Sequence, residues 1–90
     1  MKYRKPQFIV SYNGTRYCGF ANEKAFQKLL SEKLKFYPGL SEYDVVKLTF
    51  EHVAYMYVKH ITQQTGIITN CELVGYSWLD PQNYTHTIKK

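Results

Sequence analysis

The sequence predicts an α+β fold in which two β-hairpins form an antiparallel sheet packed on two helices, in the order ββααββ. Three observations support this prediction: a hairpin turn near the N-terminus, two capped amphipathic segments in the middle of the chain, and a β-rich stretch after Gly66. A chain of 90 residues has apolar surface for one core. Residues 1–90 are therefore expected to form a single domain with basic, mobile termini.

The first hairpin is predicted from Asn13-Gly14, because a type I′ turn requires positive φ at both central residues and this pair tolerates it best. Strands are expected over residues 7–12 and 15–20. A two-residue loop places Val10 opposite Tyr17 and divides the side chains between two faces, one of which carries both Arg16 and Phe20. The other face is uncharged, so it is expected to form core, with Tyr12 nearest its rim; it holds Phe8, Val10, Tyr12 and Tyr17.

The first helix is predicted to begin at an Asn22 cap and to end at Pro38-Gly39. Lys33 falls within its apolar stripe. Either the Lys33 stem lies along the rim of the core with its ammonium in water, or the helix is distorted at that point. The stripe follows the 3, 4 spacing of an amphipathic helix and consists of Phe26, Leu29, Leu30, Leu34 and Tyr37.

The second helix is the longest predicted element. Ser41 followed by Asp44 resembles a capping box, and Gly66 is the expected C-terminal stop. An alternation of apolar and polar residues also permits a strand over residues 45–50, but the caps at both ends favour a helix. A helix this apolar is expected to be central in the fold. One apolar face consists of Val46, Phe50, Val53, Tyr57 and Ile61.

A second hairpin is predicted after Gly66. Residues 67–79 are rich in β-branched and aromatic side chains, residues 80–83 read as a turn, and residues 84–90 alternate again. Trp78 lies near this turn, which makes the hairpin a candidate edge for a homodimer.

No catalytic or metal-binding motif is present, so we expect no enzyme activity and no cofactor or metal. His52 and His60 lie eight residues apart, about 80° around a helix, which is too far for both to bind one ion. A small nuclease would require one of these histidines, or His86, to meet a carboxylate in space. We predict a cytoplasmic protein from two observations. Cys18 and Cys71 are isolated rather than paired in a motif, and the sequence shows no leader-like or membrane-spanning segment.

Charge and tyrosine content point instead to a binding protein. The net charge is +5, and nine tyrosines are more than one small core buries easily. Lys24, Lys28 and Lys35 fall within about 40° of one another on the first helix and form a basic stripe. The candidate residues for binding nucleic acid or another partner are Arg4, Lys5, Tyr12, Arg16, Lys24, Lys28 and Lys35.

In this prediction the cations contact phosphates and Tyr12 stacks on a base.

The charged termini offer a second possible binding surface. If the terminal strands are neighbours, their charges cluster at one sheet edge. There they either bind a polyanion or merely keep the exposed edge from pairing with another strand. The residues concerned are Lys2, Arg4, Lys5, Lys89 and Lys90.

Two functional hypotheses follow. The first is a small non-enzymatic protein that contacts nucleic acid or a nucleic-acid-handling complex through a basic surface. The string typical of RNA-recognition motifs is missing, however. The alternative is a protein-binding inhibitor or adaptor that blocks a larger partner, for instance through an acidic surface of that partner. In size and composition the chain resembles small accessory proteins of phages and mobile elements, anti-CRISPR proteins among them.

Overall fold

Two helices pack on one face of an antiparallel sheet whose strand order is β2-β1-β3-β4. The computed structural model describes residues 3–79 and 85–87, and the side chains of residues 5–77. This architecture confirms the α+β class. In chain order the elements are β1 (Tyr3–Tyr12), β2 (Thr15–Phe20), α1 (Glu23–Phe36), α2 (Glu42–Thr62), β3 (Cys71–Leu79) and β4 (Thr85–Thr87).

The first hairpin has the predicted turn and register. Asn13 and Gly14 have φ of 52° and 83°, and Val10 lies opposite Tyr17 in the β1–β2 pair. β1 begins at Tyr3, four residues before the predicted start. The extension arises because β1 is a central strand, and its N-terminal end also pairs with β3. That long-range pairing leaves no local signal in the sequence.

α1 begins and ends as predicted. The Asn22 Oδ1 accepts a hydrogen bond of 3.1 Å from the Ala25 N–H, and the helix ends at Phe36, before Pro38-Gly39. The helix is continuous through Lys33, whose side chain is half-buried. This agrees with a lysine stem that lies along the rim of the core rather than with a distorted helix.

α2 is helical over residues 45–50, so the alternative of a strand there is wrong. The Ser41 Oγ accepts from the Asp44 N–H, as predicted. The expected stop at Gly66 is also wrong, because the helix ends at Thr62. Gln63 adopts a left-handed φ of 57° and its N–H donates to the last turn, which closes the helix three residues early. Ile61, the last residue of the predicted apolar face, is exposed.

The core is organised around Phe50 of α2, which confirms that this helix is central. The Phe50 ring lies 4.5 Å from the Phe26 ring of α1 and stacks at 4.5 Å on the Tyr76 ring of β3. The predictions for the first hairpin are confirmed as well: Phe8 and Val10 are buried. Tyr12 and Tyr17 are half-buried and pack against the core.

β3 begins at Cys71 and not at residue 67 as predicted. The backbone N–H of Ile68 donates 2.9 Å to the Tyr55 hydroxyl instead of to a strand. Asn70 then adopts a left-handed φ of 57°, and its carbonyl accepts from the Asn13 N–H at 3.1 Å. These contacts with distant residues delay the start of β3 to Cys71. The turn expected at residues 80–83 lies outside the described residues.

The two terminal strands are not neighbours, because β3 separates β1 from β4. The condition for clustering the terminal charges at one edge is therefore not met by these strands. The predicted edge also involved Lys2, Lys89 and Lys90, which lie outside the described residues, as do the side chains of Arg4 and Trp78. Within the described part of the chain, neither helix has the length and apolar composition that crossing a bilayer requires.

Candidate functional site

The second face of the sheet carries no helix in the described part of the chain. Because side chains alternate along a strand, the residues between the core positions of β1 and β2 point away from both helices. All of them except Ser11 are exposed. We call this surface the helix-free face and define it by Lys5, Gln7, Ile9, Arg16, Cys18, Phe20 and, on β3, Glu72.

An aromatic ring and a cation meet on this face. Phe20 is 58% exposed, and the Lys5 Nζ lies 4.8 Å from the centroid of its ring. The Ala21 N–H donates 2.9 Å to the Pro6 carbonyl, which holds the start of β1 beside the end of β2. A cation–π contact at an exposed site contributes about 0.5–1 kcal/mol. The pair is thus positioned by backbone bonding but held together only weakly.

Arg16 lies on the same strand face as Phe20. It pairs with Ser11 and precedes Phe20 by four residues, about 13 Å along the strand. Ile9 and Cys18, which are exposed and lie opposite each other on β1 and β2, occupy the space between Arg16 and Phe20. Among the residues that define the helix-free face, Glu72 supplies the one carboxylate against the two cations. The surface is therefore basic and partly apolar.

The predicted site residues separate into two layers. Lys5 and Arg16 lie together on the helix-free face, whereas Lys24, Lys28 and Lys35 are exposed on α1, on the other side of the sheet. Tyr12 is half-buried on the helix-covered face and packs against the core. Arg4 lies in β1, and its side chain is outside the described residues.

Phe20 is the residue that sequence reasoning missed. The predicted register already placed it on the face of Arg16. The sequence also predicted that the opposite face forms core, but it did not reveal that both helices pack there and leave the face of Phe20 without a helix. A solvent-exposed phenylalanine in contact with one cation, on a strand face that carries a second, is the signal that finds this site once the layers are known.

The histidines and cysteines are dispersed. No group of three or more histidine, cysteine or acidic side chains that could hold a metal occurs among the described residues. Partial burial lowers the pKa of His52, and the nearby Lys33 ammonium lowers it further. Cys18 is exposed on the helix-free face, while Cys71 pairs with Tyr12 on the covered side, where desolvation raises the pKa of its thiol.

A separate apolar surface lies at the connection between α1 and α2. The Phe36 ring is 75% exposed, and Tyr37 packs edge-on against it with ring centroids 4.9 Å apart. Leu40 and Tyr43 are also exposed. We call these four residues the connection patch.

Comparison of the chain with protein-family models, with curated proteins and with solved structures found no match. The geometry and charge of these two surfaces are therefore the basis on which a function can be inferred.

Proposed function

We propose that this protein is a non-enzymatic binding module that contacts nucleic acid, or a complex that handles nucleic acid, through the helix-free face. One observation carries the proposal: the exposed Phe20 ring, in contact with the Lys5 ammonium, shares a strand face with Arg16. Nucleic-acid sites of this type combine cations for phosphates with aromatic rings on which bases stack.

The charge of the whole chain favours such a partner. A net charge of +5 attracts polyanions over distances longer than any single contact. Lys24, Lys28 and Lys35 lie on the other layer of the fold, so they contribute to this long-range attraction rather than to the contacts of the helix-free face. The proposal assigns direct contact to Lys5, Arg16 and Phe20.

Binding should weaken as salt rises, because phosphate contacts release counterions. The affinity of the purified protein for a labelled oligonucleotide is measured by fluorescence anisotropy across a salt series. We expect Arg16→Gln to weaken binding and to reduce the slope of log K against log salt by about 1. Lys35→Gln is the matched control, since it removes a charge from the opposite layer. An affinity that stays constant from low to moderate salt would reject the proposal.

The connection patch favours a second candidate function, a protein-binding inhibitor or adaptor. Aromatic side chains such as those of Phe36, Tyr37 and Tyr43 are enriched at the centres of protein interfaces. Affinity capture from cell extract, followed by mass spectrometry at low and high salt, distinguishes the two candidates. A stoichiometric protein partner that survives high salt and is lost in Phe36→Ser would favour this function. Nucleic acid that elutes at high salt would favour the first.

A further inference from the structure

We infer that the ligand of the helix-free face is single-stranded nucleic acid, with one base stacked on the Phe20 ring and the Lys5 ammonium moved onto a phosphate. This inference rests on the proposed function. It adds the class of nucleic acid and the way in which one base is bound.

The width of the sheet disfavours insertion of this face into the major groove of a duplex. The sheet has four strands, so its outermost strands lie roughly 14 Å apart. The major groove is only about 12 Å wide and admits a helix or a two-stranded ribbon. The face of a four-stranded sheet is therefore too wide to enter it. A single strand, in contrast, offers unstacked bases whose faces can lie directly on an exposed ring.

The contact between Lys5 and Phe20 explains how the ring stays available. Lysine has a flexible four-carbon stem, so its ammonium can leave the ring without any change in the backbone. A stacked base makes a stronger contact with the ring than an exposed ammonium does. The displaced ammonium remains close enough to pair with the phosphate of the bound nucleotide, and the cation–π contact is thus exchanged for two contacts with the ligand.

The test compares a labelled single strand of mixed pyrimidines with the same strand annealed to its complement, at low salt. We expect the wild-type protein to bind the single strand more tightly. Phe20→Leu should weaken single-strand binding by about tenfold, because stacking on an aromatic ring is lost while the apolar volume is kept. Phe20→Tyr retains a π-face and should preserve the affinity.

Ile67→Ala is the control, since Ile67 is an exposed apolar residue outside both the helix-free face and the connection patch, and its substitution should leave both affinities unchanged. Circular dichroism melts establish that each variant folds. A preference for the duplex, or single-strand binding by Phe20→Leu within twofold of wild type, would overturn the inference. If Arg16→Gln still weakens binding in that case, the proposed function survives. If the wild-type protein binds neither oligonucleotide, both fail.

Discussion

The two faces of the sheet are built from alternate residues of the same strands, yet they have opposite environments. On the helix-covered face Val10 is 0% exposed and Phe8 3%. On the helix-free face their neighbour Ile9 is 38% exposed and Phe20 58%. Both sides contain β-forming apolar residues, although only the helix-free face also carries charges. The difference shows that burial is decided by where the helices pack, and that apolar residues left outside are available for a ligand.

The largest expected effect is a difference in stability between a substitution in the core and a substitution on the helix-free face. Phe50→Ala removes the ring that joins Phe26 and Tyr76, and should lower the free energy of unfolding by about 3–5 kcal/mol. Phe20→Ala, on the helix-free face, should cost less than about 1 kcal/mol. Urea denaturation measures both. Similar losses for the two variants would mean that the helix-free face is buried in solution.

A smaller loss is expected where α2 crosses β2. A Cβ on Gly19 would lie 2.8 Å from the Tyr57 Cζ and 3.0 Å from the Phe8 Cζ. Gly19→Ala should therefore displace the Tyr57 ring, weaken its 3.1 Å hydrogen bond to the Cys18 carbonyl, and destabilise the fold by about 1–3 kcal/mol.

Gly39→Ala is the control for that substitution, because no atom lies within 4 Å of its added Cβ. It should leave the melting temperature unchanged or raise it slightly. Equal destabilisation by the two alanines would show that the loss arises from the backbone rather than from contact with Tyr57.

Thiol reactivity provides a chemical comparison of the two sides. Cys18 is exposed, whereas Cys71 is partly buried and desolvation raises the pKa of its thiol. The thiolate is the reactive form, so in single-cysteine variants Cys18 should react with a disulfide reagent several-fold faster than Cys71. The rates of both reactions are measured at neutral pH from the absorbance of the thiolate that the reagent releases. Faster reaction at Cys71 would contradict the assignment of the faces.

The smallest expected effect is the pH dependence of stability that arises from His52 on α2. The pKa of His52 is lowered from its ordinary value of 6.5 by burial and by Lys33, so the folded state disfavours protonation. Stability from this group is present above pH 6.5 and is lost as the pH falls from 6.5 through the lower folded value. An NMR titration of His52 should show a higher pKa in Lys33→Gln and no change in the control Lys35→Gln. An unchanged His52 pKa in Lys33→Gln would exclude the contribution of that charge.

Local signals in the sequence were sufficient for the class of the fold and for several of its boundaries. Asn13-Gly14 specified the turn and, through it, the full β1–β2 register. Asn22 and Ser41 specified the starts of both helices. These features depend on residues within a few positions of one another, where side-chain caps and allowed φ values act directly.

Tertiary contacts decided the rest. α2 ends at Gln63 and β3 begins at Cys71, although Gly66 and the β-like residues after it predicted otherwise. The candidate site shows the same division: the sequence placed Arg16 and Phe20 on one strand face, but only the packing of the helices left that face open. The absence of charge was enough to predict which face becomes core. Whether the second face stays open, in contrast, depends on contacts between residues far apart in the chain, and these contacts form only when the elements assemble.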